Sequence, residues 1–273
     1  MWQRDVDLIV PLWHGGDDVR VAAGAAALAR LIPPNDDRLH ISVPDKPRTT
    51  TDGIRNLDTL DHTLHRLRQR LTGRNPHRAL TLGGDCTTDT PAIHHLATRH
   101  PDLTLYWIDA HADLNTPATS PSAKAHGMAL RTLLGQGHPR LTGDHGPALP
   151  PSRTTLVGTR DLDPAEETYI RTHGMAHIAP AELTADPTCV TTARPANTPA
   201  YIHLDIDVCD PYDLPAVSCP PPPGPTTATI AHTLAAITDH HDVIGVGICE
   251  YAPVIEHDTA RIHALLAALH LTP

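Results

Sequence analysis

Short apolar runs rich in β-branched residues alternate along the chain with longer stretches of helical period. Residues 7–12 (DLIVPL), 39–43 (LHISV), 78–82 (RALTL), 103–109 (LTLYWID), 154–159 (TTLVGT), 201–207 (YIHLDID) and 243–250 (VIGVGICE) read as strands. Helices are predicted over 19–32, 54–71, 90–100, 125–137, 164–174, 226–240 and 259–271. In the second of these, Leu57, Leu60, Leu64, Leu67 and Leu71 fall on one stripe of period 3.6. Thr90 followed by Pro91 predicts a cap and a proline at the first helical position. Pro164 with its acids opens a helix that Gly174 closes. Strand alternating with helix predicts an α/β fold with a mostly parallel sheet covered on both faces. No composition break or linker divides residues 1–273, so one domain is expected.

Composition narrows the classes. Hydrophobic residues make up 40%, enough for a core, but aromatics are 3% and phenylalanine is absent, so Leu, Ile, Val and Ala must fill it. A formal charge of −10 disfavours nucleic acid, because no basic stripe replaces phosphate counterions, and it leaves room for a small cationic substrate. Of 21 histidines, scattered ones such as His62, His65, His94 and His95 lack ligand-like neighbours and are expected at the surface or in structural roles. The five cysteines include no CxxC, the start is too short and acidic for a signal peptide, and no run reaches transmembrane length. A reduced, cytoplasmic protein without membrane attachment is expected. The sequence does not fix the oligomeric state, and a homo-oligomer is compatible with it.

In open parallel sheets ligands bind beyond the carboxyl ends of strands. The polar clusters fall there. "LYWI" runs into Asp109, His111 and Asp113; "YIHL" into Asp205 and Asp207; "RALTL" into "GGDC", with Cys86; and "VIGVGI" into "CEYAP", with Glu250. Alternate residues of an extended segment project to one side, so each aspartate set can converge. One aspartate at a strand end commonly shapes a turn. A DxHxD and a DxD in one α/β chain would repel each other unless cations neutralise them. The oxygen-rich, imidazole-poor donors suit Mn²⁺ better than Zn²⁺ or Cu²⁺, with enough ligands for two ions and a water activated as hydroxide.

"GGDC", "DAHADLNTP", "SAKAHG", "GTRDLDP", "HLDIDVCDP" and "CEYAP" resemble, in order, the signature blocks of the arginase (ureohydrolase) family, over roughly residues 83–253. The resemblance implies a single three-layer α/β/α domain, two Mn²⁺ per chain and hydrolysis of a guanidino-type carbon. It implies that Asp109 and Asp205 bridge the ions, that Asp113 and Cys86 complete the deeper one, and that His111 and Asp207 complete the shallower one. Glu250 resembles the carboxylate that holds the guanidinium, and His126 the proton-shuttle histidine; Asp113 would pass the proton to the leaving nitrogen. His111 and His126 are fifteen residues apart, as in arginases proper. Asn115 and Ser122 fall where arginases hold an α-carboxylate, and Asp163 where they hold an α-ammonium.

Cys86 stands where the family has histidine. A thiolate adds negative charge and is a soft partner for a hard ion, so it should weaken that ion as a Lewis acid. Cysteine there resembles a specialised branch of the family that cleaves Nω-hydroxy-L-arginine to L-ornithine and hydroxyurea in antibiotic (D-cycloserine-type) biosynthesis. Cys219, in "SCPPPPG", replaces a threonine usual near the family's active-site mouth. The alternatives are an ordinary arginase acting on L-arginine, and a catalytically silent metal-binding protein, against which Asp113, His126 and Glu250 argue.

Overall fold

The leucine stripe is buried as expected: Leu57, Leu60, Leu64, Leu67 and Leu71 are each at most 1% exposed. Burial of each is worth about 2 kcal/mol against leaving it in water. The computed structural model describes residues 2–142, 148–192 and 194–272. In chain order the elements are β1 (Val6–Val10), α1 (Ala22–Leu31), β2 (Arg38–His40), β3 (Thr50–Thr51), β4 (Ile54–Arg55), α2 (Leu57–Arg74), β5 (Ala79–Gly83), α3 (Thr90–Arg99) and β6 (Thr104–Ile108). There follow α4 (Ala129–Leu133), α5 (Pro139–Thr142), β7 (Thr154–Val157), α6 (Pro164–His173), β8 (Ala176–Ile178), α7 (Pro180–Ala185), β9 (Pro199–Asp205), α8 (Thr227–His240), β10 (Asp242–Cys249) and α9 (Thr259–Ala268).

Eight strands form one sheet in the order β2-β1-β5-β10-β9-β6-β7-β8, and every pairing in it is parallel. Side chains alternate between two cores. Leu8, Val10, Leu105 and Trp107 pack with the leucines of α2 and with Ile93 and Leu96 of α3. Ile9, Tyr106 and Ile108 pack on the other face with Leu28 of α1, Leu234 of α8 and Leu265 of α9. The result is the three-layer single domain expected. Without phenylalanine, Trp107, Tyr106 and Tyr201 are the largest fully buried side chains.

Several boundaries differ from the sequence reading, each for a local reason. The helix expected from residue 54 begins at Leu57, because Ile54–Arg55 pairs with Thr50–Thr51 and Asn56 turns the chain at φ 57°. Thr90 is not a cap: Asp89 precedes the helix, and the Thr90 hydroxyl donates to the Thr87 carbonyl. The helix expected over 125–137 is broken into a 3-10 turn, His126–Met128, and five α-helical residues. The strand expected over 201–207 stops at Asp205, and Asp207 lies on a 3-10 turn. Among the described residues no helix is long and apolar enough to cross a membrane.

Candidate metal centre

The strands that end in the polar motifs are β5, β10, β9 and β6, which are four consecutive neighbours at the middle of the sheet. Their carboxyl ends therefore bring distant motifs to one point. Asp85 accepts from Thr87 N at 3.0 Å and caps the 3-10 turn on which Cys86 sits. Asp205 accepts from Asp207 N at 2.8 Å, and Asp109 from His111 N at 2.7 Å, so each alternate pair is tied by its own backbone. Asp113 and Glu250 take left-handed backbone, φ 52° and 59°. Each such residue costs about 1–3 kcal/mol, a strain that clusters at functional sites. Asp113 reaches the site from this bend, not from the extended segment that its spacing suggested.

Two triads of donor atoms result. Cys86, Asp109 and Asp205 form one, and Asp109, His111 and Asp207 the other, each with its atoms within 4.8 Å of one another. Asp109 belongs to both. The Cys86 Sγ–H donates to Asp205 Oδ2 at 3.1 Å, and His111 Nδ1 lies 3.1 Å from Asp207 Oδ2. Asp113 lines the same cavity, and its Oδ2 is buried with no partner.

A divalent cation fits this donor set. Burial, then the charge of Asp207, raises the Asp109 carboxyl above its usual range. Burial, then Asp207 and Asp109, raises Asp205 further, and burial, then Asp109, raises Asp113. Burial opposes ionisation of Asp207 too, but His111 outweighs it and the pKa falls. Among the described residues no Arg or Lys pairs with these four carboxylates. Arg160 donates to the backbone carbonyls of Asp207 and Val208 and not to a carboxylate of the site. Carboxylates crowded this way are stabilised by a bound cation.

His126 and Glu250, given separate roles by the sequence, meet directly: His126 Nδ1 lies 2.9 Å from Glu250 Oε1. Burial works against a protonated His126, yet the Glu250 hydrogen bond and charge raise its pKa overall. Glu250 Oε2 is buried and unpartnered. Gly16 leaves room for this pair, since a Cβ there would stand 3.1 Å from His126 Nδ1.

The cavity, about 160 Å³, is lined also by Asn115, Ser122, Asp163 and Cys219. Asn115 Nδ2 donates to Asp163 Oδ2 at 2.7 Å, and Thr119 donates to Asn115 Oδ1 at 2.8 Å, which fixes the amide. Asp163 also starts α6. Sequence reasoning missed Ser120, Asp161 and Glu166, all in the cavity wall. Asp161 Oδ2 lies 3.7 Å from His111 Nε2. Glu166 accepts from Leu114 N and Asp163 N, clamping both walls. Spacing held the signal: Asp161 precedes Asp163 by two, as Ser120 does Ser122, and Glu166 stands three residues into the helix from Asp163.

Known proteins resemble this chain. The family profile of the arginase family matches residues 15–271. An arginase of Staphylococcus aureus is 26% identical, over 94% of this chain and 92% of the relative. The solved arginase of Entamoeba histolytica in complex with L-ornithine superposes with a TM-score of 0.86 at 23% identity, covering 97% of this chain and 96% of that one. The solved arginase of Bacillus caldovelox gives 0.83 at 27% identity, covering 97% of each chain. The chain thus belongs to the arginase family of binuclear metallohydrolases that act on guanidino C–N bonds.

Proposed function

We propose that the protein hydrolyses Nω-hydroxy-L-arginine to L-ornithine and hydroxyurea, using two Mn²⁺ ions held by Cys86, Asp109, His111, Asp113, Asp205 and Asp207. The observation that carries the reading is Cys86, a thiol 3.1 Å from Asp205 in an otherwise oxygen-rich set. Four aspartates, one imidazole and one thiol suit a hard ion of flexible geometry. Bound ions would supply Lewis acidity and lower the pKa of a coordinated water towards neutrality. Asp109 would be shared by both ions, as its place in both triads supports, and Asp205 would be the second bridge.

The chain's residues would do the rest. Glu250, with one oxygen on His126 and the other free, would hold the guanidino group and balance its charge. Asn115, Ser122 and Asp163 would grip the amino-acid end at the mouth, so that hydrolysis is confined to an α-amino acid. Water adds to the guanidino carbon, the bond to the δ-nitrogen breaks, and a proton must reach that nitrogen. Asp113, with its free Oδ2, would deliver it, and His126 would exchange protons with solvent. The balanced products are the amine and the hydroxyurea. A soft, charged ligand at one ion would lessen its hold on the substrate N–OH oxygen, favouring turnover over inhibition. The setting suggested is antibiotic biosynthesis, in the cytoplasm.

Hydrolysis of L-arginine to ornithine and urea is the second reading, favoured by the arginases among the relatives. Specificity constants for both substrates, in wild type and Cys86→His with saturating Mn²⁺, separate the two. The variant should bind manganese more tightly, gain on L-arginine and lose preference for the hydroxylated substrate. An unchanged ratio would make Cys86 a bystander.

A further inference from the structure

Directly behind Cys86 lie two further donors, Cys249 and His203, that hydrolysis does not use. Cys249, the last residue of β10, places its Sγ 3.6 Å from Cys86 Sγ and 3.6 Å from His203 Nε2. The two sulfurs and a ring nitrogen all lie within 4.8 Å of one another, and all three residues are buried.

His203 is rigidly set. Its Nδ1 faces Asp89 Oδ2 at 3.0 Å, and its ring stacks on Trp107 with centroids 3.5 Å apart. Asp89 is in turn held by the Tyr201 hydroxyl. Gly247 makes room for it, since a Cβ there would fall 1.9 Å from the Asp89 carboxylate. A carboxylate on one imidazole nitrogen directs the other nitrogen's lone pair at its target, the arrangement that backs metal-ligating histidines.

We propose that Cys86, Cys249 and His203 form a binding site for a thiophilic, tetrahedral cation such as Zn²⁺ or Cd²⁺, distinct from the oxygen-rich triads but sharing Cys86 with one of them. Dimensions support it. Bonds of about 2.3 Å to sulfur and about 2.0–2.1 Å to imidazole, at tetrahedral angles, put two sulfurs about 3.8 Å apart and sulfur and nitrogen about 3.6 Å apart. The structure has 3.6 Å for each pair that involves Cys249. Two thiolates and an imidazole select against hard ions. Binding requires both thiols to lose their protons to solvent, and it draws Cys86 towards the sulfur side, so the site is one of metal discrimination and inhibition. It stands whichever guanidino substrate is hydrolysed.

The test uses the full chain loaded with Mn²⁺ and kept reduced. Cd²⁺ is titrated in, and the thiolate-to-cadmium charge-transfer absorption and the binding isotherm are recorded. Wild type should show a band worth two thiolates per ion. Cys249→Ala should remove roughly half of it and weaken Cd²⁺ and Zn²⁺ binding at least about tenfold, with Mn²⁺ binding changed less than about twofold. Cys249→Ser, which keeps the volume, serves if the alanine variant does not fold. A one-thiolate band that Cys249 does not affect overturns the proposal. So does a fall in Mn²⁺ affinity parallel to that in Cd²⁺, which marks a packing defect.

Discussion

Asp7 and Asp205 are both buried acids on the same sheet, one near the start of β1 and the other at the end of β9. The chain treats them in opposite ways. Asp7 receives two guanidinium groups: Arg4, and Arg38 at 2.8 Å, with Asn35 N as a further donor. Asp205 receives a backbone N–H, a thiol and the repulsion of Asp109, Asp207 and Glu250. At Asp7, where the buried carboxylate serves the fold, the protein supplies its own cations. At the carboxyl edge, among the described residues, no arginine or lysine pairs with the four aspartates and His111 alone faces them, so the structure is left able to accept a cation from outside. That contrast identifies the working end of the sheet independently of any motif.

The largest effect should come from breaking the cation-accepting end. Asp205→Ala removes a proposed shared ligand of both ions. It should lower activity at least about a thousandfold, with loss of bound manganese. Metal analysis still finding two ions per chain would show that Asp205 does not bridge.

Stability should respond with opposite signs at the two ends. Asp7→Asn leaves the half-buried Arg4 and Arg38 without their anion and should cost about 1–3 kcal/mol of unfolding free energy. In metal-free protein, Asp205→Asn relieves repulsion and should raise the melting temperature. Denaturation of both variants in chelator checks this; destabilisation by both would dissolve the contrast between the ends.

Much of this was readable in advance, for reasons that also explain the gaps. The period of the α2 leucines, and strand ends loaded with Asp and His, made the layers and the convergence of polar side chains at one sheet edge legible, because periodicity and spacing are local. The pairing of His126 with Glu250 was not readable. It depends on β10 lying in the sheet's middle and on the approach of Gly16, both long-range. The cluster of Cys86, His203 and Cys249 was hidden likewise, since its members come from the 3-10 turn after β5 and from strands β9 and β10, and no spacing links them. Strand β8 and helix α7 escaped because three and six residues give no period to detect.

A smaller effect is expected at the mouth, where charge meets solvent. Asp163 holds Asn115 and is proposed to hold an ammonium, so Asp163→Ala should raise KM about 10- to 100-fold with less change in kcat. Ser122→Ala should do the same more weakly. Equal use of agmatine and the amino-acid substrate by the wild type would remove the amino-acid grip altogether.

His241 adds a third way of handling buried charge, which is to avoid it. Burial, then neighbouring His240, lowers its pKa from 6.5 to about 4, and Arg194 adds to the effect. Its Nε2 meets the Tyr106 hydroxyl at 2.6 Å and its Nδ1 meets Thr198 Oγ1 at 3.0 Å, so the neutral ring is fully used. The unfolded chain takes up this proton first as pH falls. Stability present above pH 6.5 should therefore drain away as pH drops towards 4. His241→Gln cannot titrate and escapes the loss. Comparing the two proteins in chelator, where the carboxyl edge contributes equally to both, the wild type should lose on the order of 1–2 kcal/mol relative to the variant between about pH 7 and about pH 5. A difference that stays constant across that range would mean that His241 is already free to ionise in the fold, and that only the two ends of the sheet, not its flank, divide the protein's buried charge.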